Sequence, residues 1–352
     1  MLDASTKPQV GVDRRGQRAD DGEPTSTPPR AGEPALTAQS SIRAPSLAVR
    51  AVAPLAALLY PAIIWCGVRS SPIVLALSLG VPLLALAVGH HIAPADGFPR
   101  ARRVAHLAVA APPLFSLLGG WLDFQHALPF HGLTVWIAVW SAALVAVAIE
   151  RPCPASPAAP SRHLAMAHGI SAAVITLFAA AHVFNHLAGL FGGETHIAVM
   201  SVLRTIYRNA LVEPVLLAVV AFQVATGTVL LWRKLTRANG WFDTLQTATG
   251  AYMLLFLLSH VSAALRARYL RGTDTNWAWL SGGELLTDPW SARLAPYYFL
   301  AVIAFGVHGA CGLRKVALGH GASPVLGARL VALGAAVSTV VSALIFAGLV
   351  RA

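Results

Sequence analysis

The sequence has little charge. Only 12% of its 352 residues are Asp, Glu, Lys or Arg, whereas 56% are hydrophobic and the mean hydropathy is +0.63. A soluble globular domain carries roughly a quarter of its residues as charged side chains. This composition therefore excludes an ordinary soluble protein and indicates a membrane protein, with the lipid bilayer as its main partner.

Nine long segments contain no charged residue. A helix that spans a bilayer needs about 17–25 apolar residues, so each segment predicts one transmembrane helix. The segments are 51–68, 70–95, 104–122, 124–149, 163–193, 214–232, 244–265, 294–313 and 330–350. We expect Pro112 and Pro113 to kink the third helix, which neighbouring helices can accommodate. The expected fold class is an all-α membrane protein with nine transmembrane helices, four followed by five.

Several signatures of soluble cofactor chemistry are missing. The three cysteines, Cys66, Cys153 and Cys311, are far apart, and without a CxxC motif an iron–sulfur or zinc site within the chain is not expected. Without CxxCH, any haem would be held without thioether bonds. No Gly-rich nucleotide fingerprint follows a strand pattern. The polar N-terminus also predicts that no cleavable signal peptide is present.

The composition changes along the chain define four regions. Residues 1–44 are rich in Pro, Gly, Ser, Thr, Asp and Arg, which predicts a disordered cytoplasmic tail. Residues 45–150 are expected to form a four-helix transmembrane bundle of unknown role. Residues 151–162 are a Pro/Ala linker, and residues 163–352 are expected to form a five-helix bundle.

The net charge of +11 is explained by topology. With the N-terminus inside and nine spans, the inner segments hold 18 Lys and Arg residues and the outer segments hold 8. This asymmetry follows the positive-inside rule, so a nucleic-acid partner is not expected. We expect a multi-pass protein of a bacterial-type inner or plasma membrane, with the N-terminus cytoplasmic and the C-terminus outside.

Histidines stand out in the second bundle. In the segment AAAHVFNHLAG, His182 and His186 are four residues apart and share one helix face. His182 lies near the outer end of the fifth span and His260 near the outer end of the seventh, and both spans run outward. Two imidazoles at similar depth can ligate a b-type haem from its two sides. His186 either hydrogen-bonds within the pocket or is the ligand in place of His182.

Four segments of the second bundle resemble a known family. HGISAAVITLFAAAHVFNHLAG, YRNALVEPVLLAVVAFQVATG, WFDTLQTATGAYMLLFLLSHV and FGVHGACGL are similar to the five-helix, di-haem cytochrome b anchor of succinate dehydrogenases and fumarate reductases. The resemblance covers residues 163–350 and implies His182 and His260 as axial ligands of the outer haem iron. It implies a non-catalytic electron-transfer subunit between a partner complex and the quinone pool. It also implies flavoprotein and iron–sulfur subunits on the cytoplasmic side, with quinone as the substrate.

The resemblance also places a second haem between the second and fourth helices of this bundle. The fourth-helix ligand matches His308, in the inner leaflet, but the second-helix position is Gln223. A glutamine amide is a poor iron ligand, so we expect one haem b, with His308 and Gln223 forming a hydrogen-bonded pair. Another ligand, or a five-coordinate second haem, is the alternative.

Cationic side chains near the outer haem are candidates for binding its propionates. Arg204 and Arg208 precede the sixth span, and Arg266 and Arg268 follow the seventh. The alternative is that they are ordinary interfacial arginines. Glu213, followed by Pro214, is expected to cap the helix that begins there.

Other histidines suggest different functions. His168 lies near the inner start of the fifth span, close to the helix stripe of His182 but at its opposite end, and is expected to be interfacial. The first bundle contains His90, His91, His106, His126 and His131, which we expect to be interfacial rather than a second cofactor or metal site. Histidines on the outer side could bind the metal or small solute of a transporter. They are His126, His131, His182, His186 and His196. No span contains a carboxylate, which disfavours a cation-coupled carrier. A haem-free membrane anchor or assembly protein is the third alternative.

Overall fold

A computed structural model describes residues 44–70, 76–125, 132–153, 161–281 and 288–351. Within these ranges the regular secondary structure is entirely helical, which confirms the all-α expectation. The predicted tail up to residue 43, the centre of the predicted linker (154–160), and His126 and His131 lie outside the described residues.

The helices follow the charge-free segments. The first part of the chain forms α1 (Leu47–Ser70), α2 (Gly80–His91), α3 (Pro99–Ala108), α4 (Ala111–Gln125) and α5 (Gly132–Ala148). The second part forms α6 (Arg162–Ala188), α7 (Gly193–Tyr207), α8 (Val212–Lys234), α9 (Gly240–Arg271), α10 (Trp277–Ser281), α11 (Pro289–Ala292), α12 (Leu294–Gly319) and α13 (Pro324–Arg351). Short 3-10 turns lie at Leu77–Leu79, Pro94–Asp96 and Gly189–Phe191.

Six described helices are long and apolar enough to cross a bilayer. They are α1, α6, α8, α9, α12 and α13. A seventh crossing is present if α3 and α4 count as one broken span. Two further apolar helices, Leu77–His91 and Gly132–Ala148, are shorter than a full crossing. The length and composition of these helices thus indicate a multi-pass membrane protein. The expected count of nine transmembrane helices stays a prediction.

The third predicted span is sharply bent. Its two halves, Pro99–Ala108 and Ala111–Trp121, meet at 74°. Pro112 and Pro113 directly follow the bend, and proline has no backbone N–H and clashes with the preceding turn of a helix. Because proline is tolerated in the first turn of a helix, the chain starts a new helix at Ala111.

Helix α9 connects the two predicted bundles. It packs on α8 and α12 of the second bundle and on α2, α3 and α4 of the first. One hydrophobic core contains buried side chains from both, including Ala57, Tyr252 and Ala304. Residues 43–352 therefore form one compact unit.

Several helix ends are fixed by polar contacts. The Ser161 hydroxyl accepts a hydrogen bond from the Leu164 N–H at the start of α6 (3.4 Å). The buried Glu150 carboxylate, at the end of α5, accepts the N–H groups of Arg100 and Ala101 in the first turn of α3. A carboxylate there also interacts favourably with the helix dipole, so it ties the end of the first bundle back to its middle.

Candidate functional site

A cavity of about 1950 Å³ lies among the five long helices of the second bundle. Side chains of α6, α8, α9, α12 and α13 line it. A typical small-molecule pocket measures about 300–1000 Å³, so this space can hold more than one ligand of that size. We call the end at His182 and His260 the outer end and the end at His168 and His308 the inner end, following the predicted topology.

The two predicted haem ligands meet at the outer end. The ring centroids of His182, on α6, and His260, on α9, are 6.0 Å apart with an angle of 63° between the ring planes. Two imidazoles that bind one metal ion from opposite sides, with metal–nitrogen bonds of about 2 Å, have their centroids about 6 Å apart. The separation of the two side chains therefore fits a bis-imidazole site.

His186 and His196 extend this pair into a row of four histidines. His186 Nε2 lies 3.2 Å from His182 Nε2, and the two ring centroids are 4.6 Å apart. His186 in turn lies 5.4 Å, centroid to centroid, from His196 on α7. One nitrogen cannot bind a metal and hydrogen-bond His186 at once, so the His182–His186 contact has to open before His182 Nε2 can act as a ligand.

Aromatic rings flank both candidate ligands. Phe178 stacks on His182 with centroids 5.6 Å apart, and Phe256 stacks on His260 at 5.1 Å. Each Phe precedes its histidine by four residues, so both pairs lie on one helix face. Tyr298 of α12 contacts His260 edge-on at 6.0 Å. These three residues were not among the predicted site residues, although the F-x-x-x-H spacing that Phe178 and Phe256 share is present in the sequence.

Asn185 and His196 supply polar atoms at the outer end. The Asn185 side-chain amide donates to His196 Nε2 (3.0 Å), so His196 carries its proton on Nδ1. Burial, and then the positive charge of Arg204, lower the pKa of His196 below its usual 6.5, which keeps the ring neutral. In the described part of the chain, His196 Nδ1, His186 Nδ1 and Asn185 Oδ1 are buried without a hydrogen-bond partner. Buried polar atoms usually have one, so these atoms suit a polar ligand.

Two of the predicted propionate-binding arginines line the cavity. Arg208 and Arg268 are both at its outer end. Arg268 also forms a bidentate ion pair with Glu213: its two terminal guanidinium nitrogens donate to Glu213 Oε1 (2.5 Å) and Oε2 (3.1 Å). Glu213 lies in the first turn of α8 as predicted, but its carboxylate binds this guanidinium rather than the helix backbone.

The other two arginines face elsewhere. Arg204 pairs with Asp274 at 2.8 Å and donates to the Thr275 carbonyl, and it is not among the residues that line the cavity. Arg266 donates to the Gly120 carbonyl at 2.6 Å and so connects α9 to the first bundle.

The inner end contains His308, Gln223 and His168. The Gln223 side-chain amide donates to His168 Nε2 (3.0 Å), and the Ser171 hydroxyl donates to Gln223 Oε1. His308 instead bonds to the backbone carbonyl of Gln246 at 3.1 Å. The predicted hydrogen bond between His308 and Gln223 is therefore wrong, because His168 reaches Gln223 from α6.

The described histidines of the first bundle are separate from this cavity. His106 is buried against Gly89, and its Nδ1 bonds to the Arg102 carbonyl at 2.9 Å. His90 contacts Thr244 of α9, and His91 is exposed. Among the residues that the structure describes, no group of three or more His, Cys, Asp and Glu side chains is arranged to hold a metal ion.

Comparisons with known proteins give no identification. The chain matches no protein-family model, no curated protein and no solved structure.

Proposed function

We propose that the chain is a membrane-embedded b-type cytochrome subunit. It would bind one haem b at the outer end of the cavity, between His182 and His260, and transfer electrons between a respiratory partner complex and the quinone pool. The observation that carries the proposal is the 6.0 Å separation of these two imidazoles, from two different helices, in a large intramembrane cavity. Histidines inside membrane helices are costly and by default indicate a function.

The haem would supply one-electron chemistry, and the protein would bind it and set its surroundings. His182 and His260 would hold the iron through one imidazole nitrogen each, and the stacked rings of Phe178 and Phe256 restrict how far each imidazole can turn. The largely apolar lining would limit the access of water to the metal.

Polar groups at the outer end suit the carboxylates of a haem or the carbonyl of a quinone. Arg208 and Arg268 line the cavity there, and the His196 Nδ1–H is a buried donor without a partner among the described residues. Guanidinium groups bind carboxylates in a two-pronged geometry, as Arg268 already does with Glu213. His186 has a different role: its Nε2 contacts His182 Nε2, and this contact would have to open for His182 to hold the iron.

The topology and the partners extend this proposal. We propose nine crossings, with the two shorter apolar helices completing the set, the N-terminus in the cytoplasm and the C-terminus outside a bacterial-type inner membrane. The excess of Lys and Arg on the inner segments supports this orientation. The partner complex would resemble succinate dehydrogenase or fumarate reductase, with flavoprotein and iron–sulfur subunits on the cytoplasmic side.

The test is haem binding by the full chain purified in detergent. Reduced-minus-oxidised spectra and the haem-to-protein ratio are recorded for the wild type, His260→Ala and His91→Ala. His91 is exposed and does not line the cavity, so its substitution is the matched control. We expect a b-type spectrum in the wild type and in His91→Ala, and loss of the outer haem in His260→Ala.

The other outcomes separate the alternatives. A wild-type protein without haem that binds Zn²⁺ or Cu²⁺ through the outer histidines would support a metal or solute transporter. A protein that binds neither haem nor metal would support a membrane anchor or assembly protein. A haem that His260→Ala retains in full would overturn the proposed ligand pair.

A further inference from the structure

The inner rim of the cavity is strongly basic. We define the inner rim as the charged side chains that line the cavity beyond His168 and His308, at or near the inner ends of α6, α8, α9 and α12. Five of them are cationic and one is anionic: Arg162, Arg233, Lys234, Arg237 and Lys315, with Asp243. The three arginines form no ion pair with any residue that the structure describes. The inner rim therefore carries a large excess of positive charge.

Two lysines of the inner rim share one carboxylate oxygen. Lys234 Nζ and Lys315 Nζ lie 3.0 and 3.2 Å from Asp243 Oδ1. Lys234 also donates to Gln246 Oε1 at 2.6 Å. An ammonium group has three N–H donors, so this single carboxylate leaves donors on both lysines for a further anion. The contact also joins α8, α9 and α12 at the inner rim.

The first bundle holds the turn that carries part of the inner rim. Arg102 of α3 is buried and donates to the Ala238 carbonyl, in the turn between α8 and α9. His90 Nδ1 of α2 lies 3.4 Å from the Thr244 hydroxyl, in the first turns of α9. These contacts position Arg237, which directly precedes Ala238. A site that is fixed before its ligand arrives loses less entropy on binding.

The inner half of the cavity is open at its side. Met166 of α6, Val316 of α12 and Leu333 of α13 line the cavity, yet they are 59, 58 and 62% exposed. Helices α6 and α12 make no extensive contact with each other. All three side chains belong to helices that are long and apolar enough to cross a bilayer, so the opening between α6 and α12 faces lipid.

Glycines leave the walls of this opening smooth. Gly169 of α6 and Gly309 and Gly312 of α12 line the cavity, and a Cβ atom at any of them would meet no described atom of a neighbouring helix within 4 Å. At the outer end, by contrast, a Cβ atom at Gly348 of α13 would lie 3.2 Å from the Gly189 carbonyl carbon. The helices pack closely there, so the room for a long flexible chain is in the inner half.

The two ends of the cavity also differ in their unpaired polar atoms. In the described part of the chain, the cavity-lining residues that bury a polar atom without a hydrogen-bond partner are all at the outer end: Asn185, His186, His196 and Arg208. At the inner end, the two ring nitrogens of His168 have Thr226 and Gln223 as partners. His308 Nδ1 has the Thr249 hydroxyl at 3.3 Å in addition to its carbonyl partner. A hydrocarbon chain makes no hydrogen bonds, so it fits best where the polar groups already have partners.

We infer that the inner mouth of the cavity binds an anionic phospholipid. Lys234, Lys315 and the arginines of the inner rim hold its phosphate, and one acyl chain lies in the opening between α6 and α12. Basic pockets between membrane helices on the cytoplasmic side bind acidic lipid headgroups, and the proposed topology puts the inner rim on that side. A soluble phosphate or an acidic protein would use the rim but not the apolar opening beside it. The inference goes beyond the proposed function, since the haem at the outer end takes no part in it.

The test measures lipid retention by the full chain purified in detergent. Native mass spectrometry counts the lipids that the protein retains after incubation with palmitoyl-oleoyl phosphatidylglycerol, which is anionic, or with the phosphatidylcholine of the same chains, which has no net charge. We expect the wild type to retain phosphatidylglycerol in preference to phosphatidylcholine. A basic side chain near an acidic lipid contributes about fivefold to the affinity, so the double variant Lys234→Gln/Lys315→Gln should bind phosphatidylglycerol about 25-fold more weakly.

Matched variants separate this site from the general charge of the inner surface. Arg151→Gln/Arg329→Gln removes two positive charges from exposed residues that do not line the cavity, and it should retain phosphatidylglycerol as the wild type does. Gly312→Leu fills the opening and should lower retention. Gly80→Leu is its control, because a side chain there also enters open space but lies outside the cavity lining. All variants are compared as monodisperse protein by gel filtration.

Three results would overturn the inference. Equal retention of the two lipids by the wild type would show that the inner rim does not recognise the headgroup. Equal losses in the lysine pair and the control pair would assign the binding to general surface charge. Unchanged retention by Gly312→Leu, or complete displacement of the lipid by millimolar inorganic phosphate, would make the rim a site for a soluble anion or an acidic protein. None of these results depends on a haem spectrum, so they are distinct from the test of the proposed function.

Discussion

The two ends of the cavity hold histidines in different ways. At the outer end, imidazoles contact one another and phenyl rings, as in the stacks of His182 on Phe178 and of His260 on Phe256. At the inner end, His168 and His308 are held by hydroxyl and carbonyl groups through Nδ1. Ring packing restrains orientation but not the position of the proton, and in the His182–His186 contact either imidazole can be the donor. A carbonyl only accepts, so the partner of His308 determines both the orientation of the ring and the position of its proton. We therefore expect the inner imidazoles, His168 and His308, to keep one orientation and one protonated nitrogen. The outer imidazoles, His182 and His260, should change orientation and protonated nitrogen more easily.

The largest expected effect concerns the choice between the two outer histidines. His182→Leu should remove the outer haem, because it takes away the imidazole that contacts His260. His186→Leu should keep that haem, and should bind it at least as tightly, since His186 no longer competes for His182 Nε2. Haem titration of the two purified proteins measures this difference. Loss of haem in His186→Leu but not in His182→Leu would mean that His186 is the ligand.

An intermediate effect is expected from the two threonines of the inner end. A buried donor that loses its hydrogen-bond partner costs about 1–3 kcal/mol of stability. Thr226→Val should cost this much, because Thr226 is the partner of His168 Nδ1. Thr249→Val should cost less, because His308 Nδ1 keeps the Gln246 carbonyl. Thermal unfolding of each purified variant in detergent provides the comparison, and equal losses of stability would contradict these hydrogen-bonding roles.

A smaller effect is expected from the phenyl rings of the outer end. Phe256→Leu removes a stacked ring beside His260, and a ring contact of this kind contributes about 0.5–1.5 kcal/mol. The variant should keep its haem and melt at a lower temperature, as measured by circular dichroism in detergent. Phe191→Leu is the control, since Phe191 is 81% exposed. Complete loss of haem in Phe256→Leu would show that the ring determines binding rather than orientation.

The smallest effect should come from the ion pairs near the outer end. Glu213→Gln breaks the two-pronged pair with the half-buried Arg268 and should cost about 1 kcal/mol of stability. Asp274→Asn breaks the ion pair with Arg204. Because the Asp274 side chain is 55% exposed, this variant should lose less stability. Thermal unfolding at low and high salt measures both. An equal loss of stability at both sites would contradict the difference in burial.

Much of the helical architecture could be predicted from the distribution of charge. Long uncharged segments correspond to α1, α6, α8, α9, α12 and α13, because a membrane helix cannot leave many charged side chains in hydrocarbon. The shape of the third segment was harder to predict. Two consecutive prolines suggested a kink, and the two halves of the segment meet at 74° in the structure. The angle depends on how neighbouring helices pack, which the local sequence does not contain.

The proximity of His182 and His260 could be predicted from the sequence, whereas the contacts of His168 with Thr226 and Gln223 could not. Equal depth on two helices that run in the same direction was enough to pair His182 with His260, and their rings do lie 6.0 Å apart. His308 was assigned to Gln223 by the family pattern, yet Gln223 bonds to His168. His168 was treated as the start of its helix, because its contact with Thr226 depends on how α6 and α8 pack.

Helix α6 runs without interruption from Arg162 to Ala188 and carries His168 and His182 near its two ends. Fourteen residues at 1.5 Å each separate these histidines by about 21 Å along the helix axis, which is roughly two-thirds of a hydrocarbon core of about 30 Å. A full crossing of the membrane changes the energy of an elementary charge by about 2.3 kcal/mol per 100 mV. A charge that moved from one end of α6 to the other would therefore gain or lose roughly 1.5 kcal/mol per 100 mV of membrane voltage.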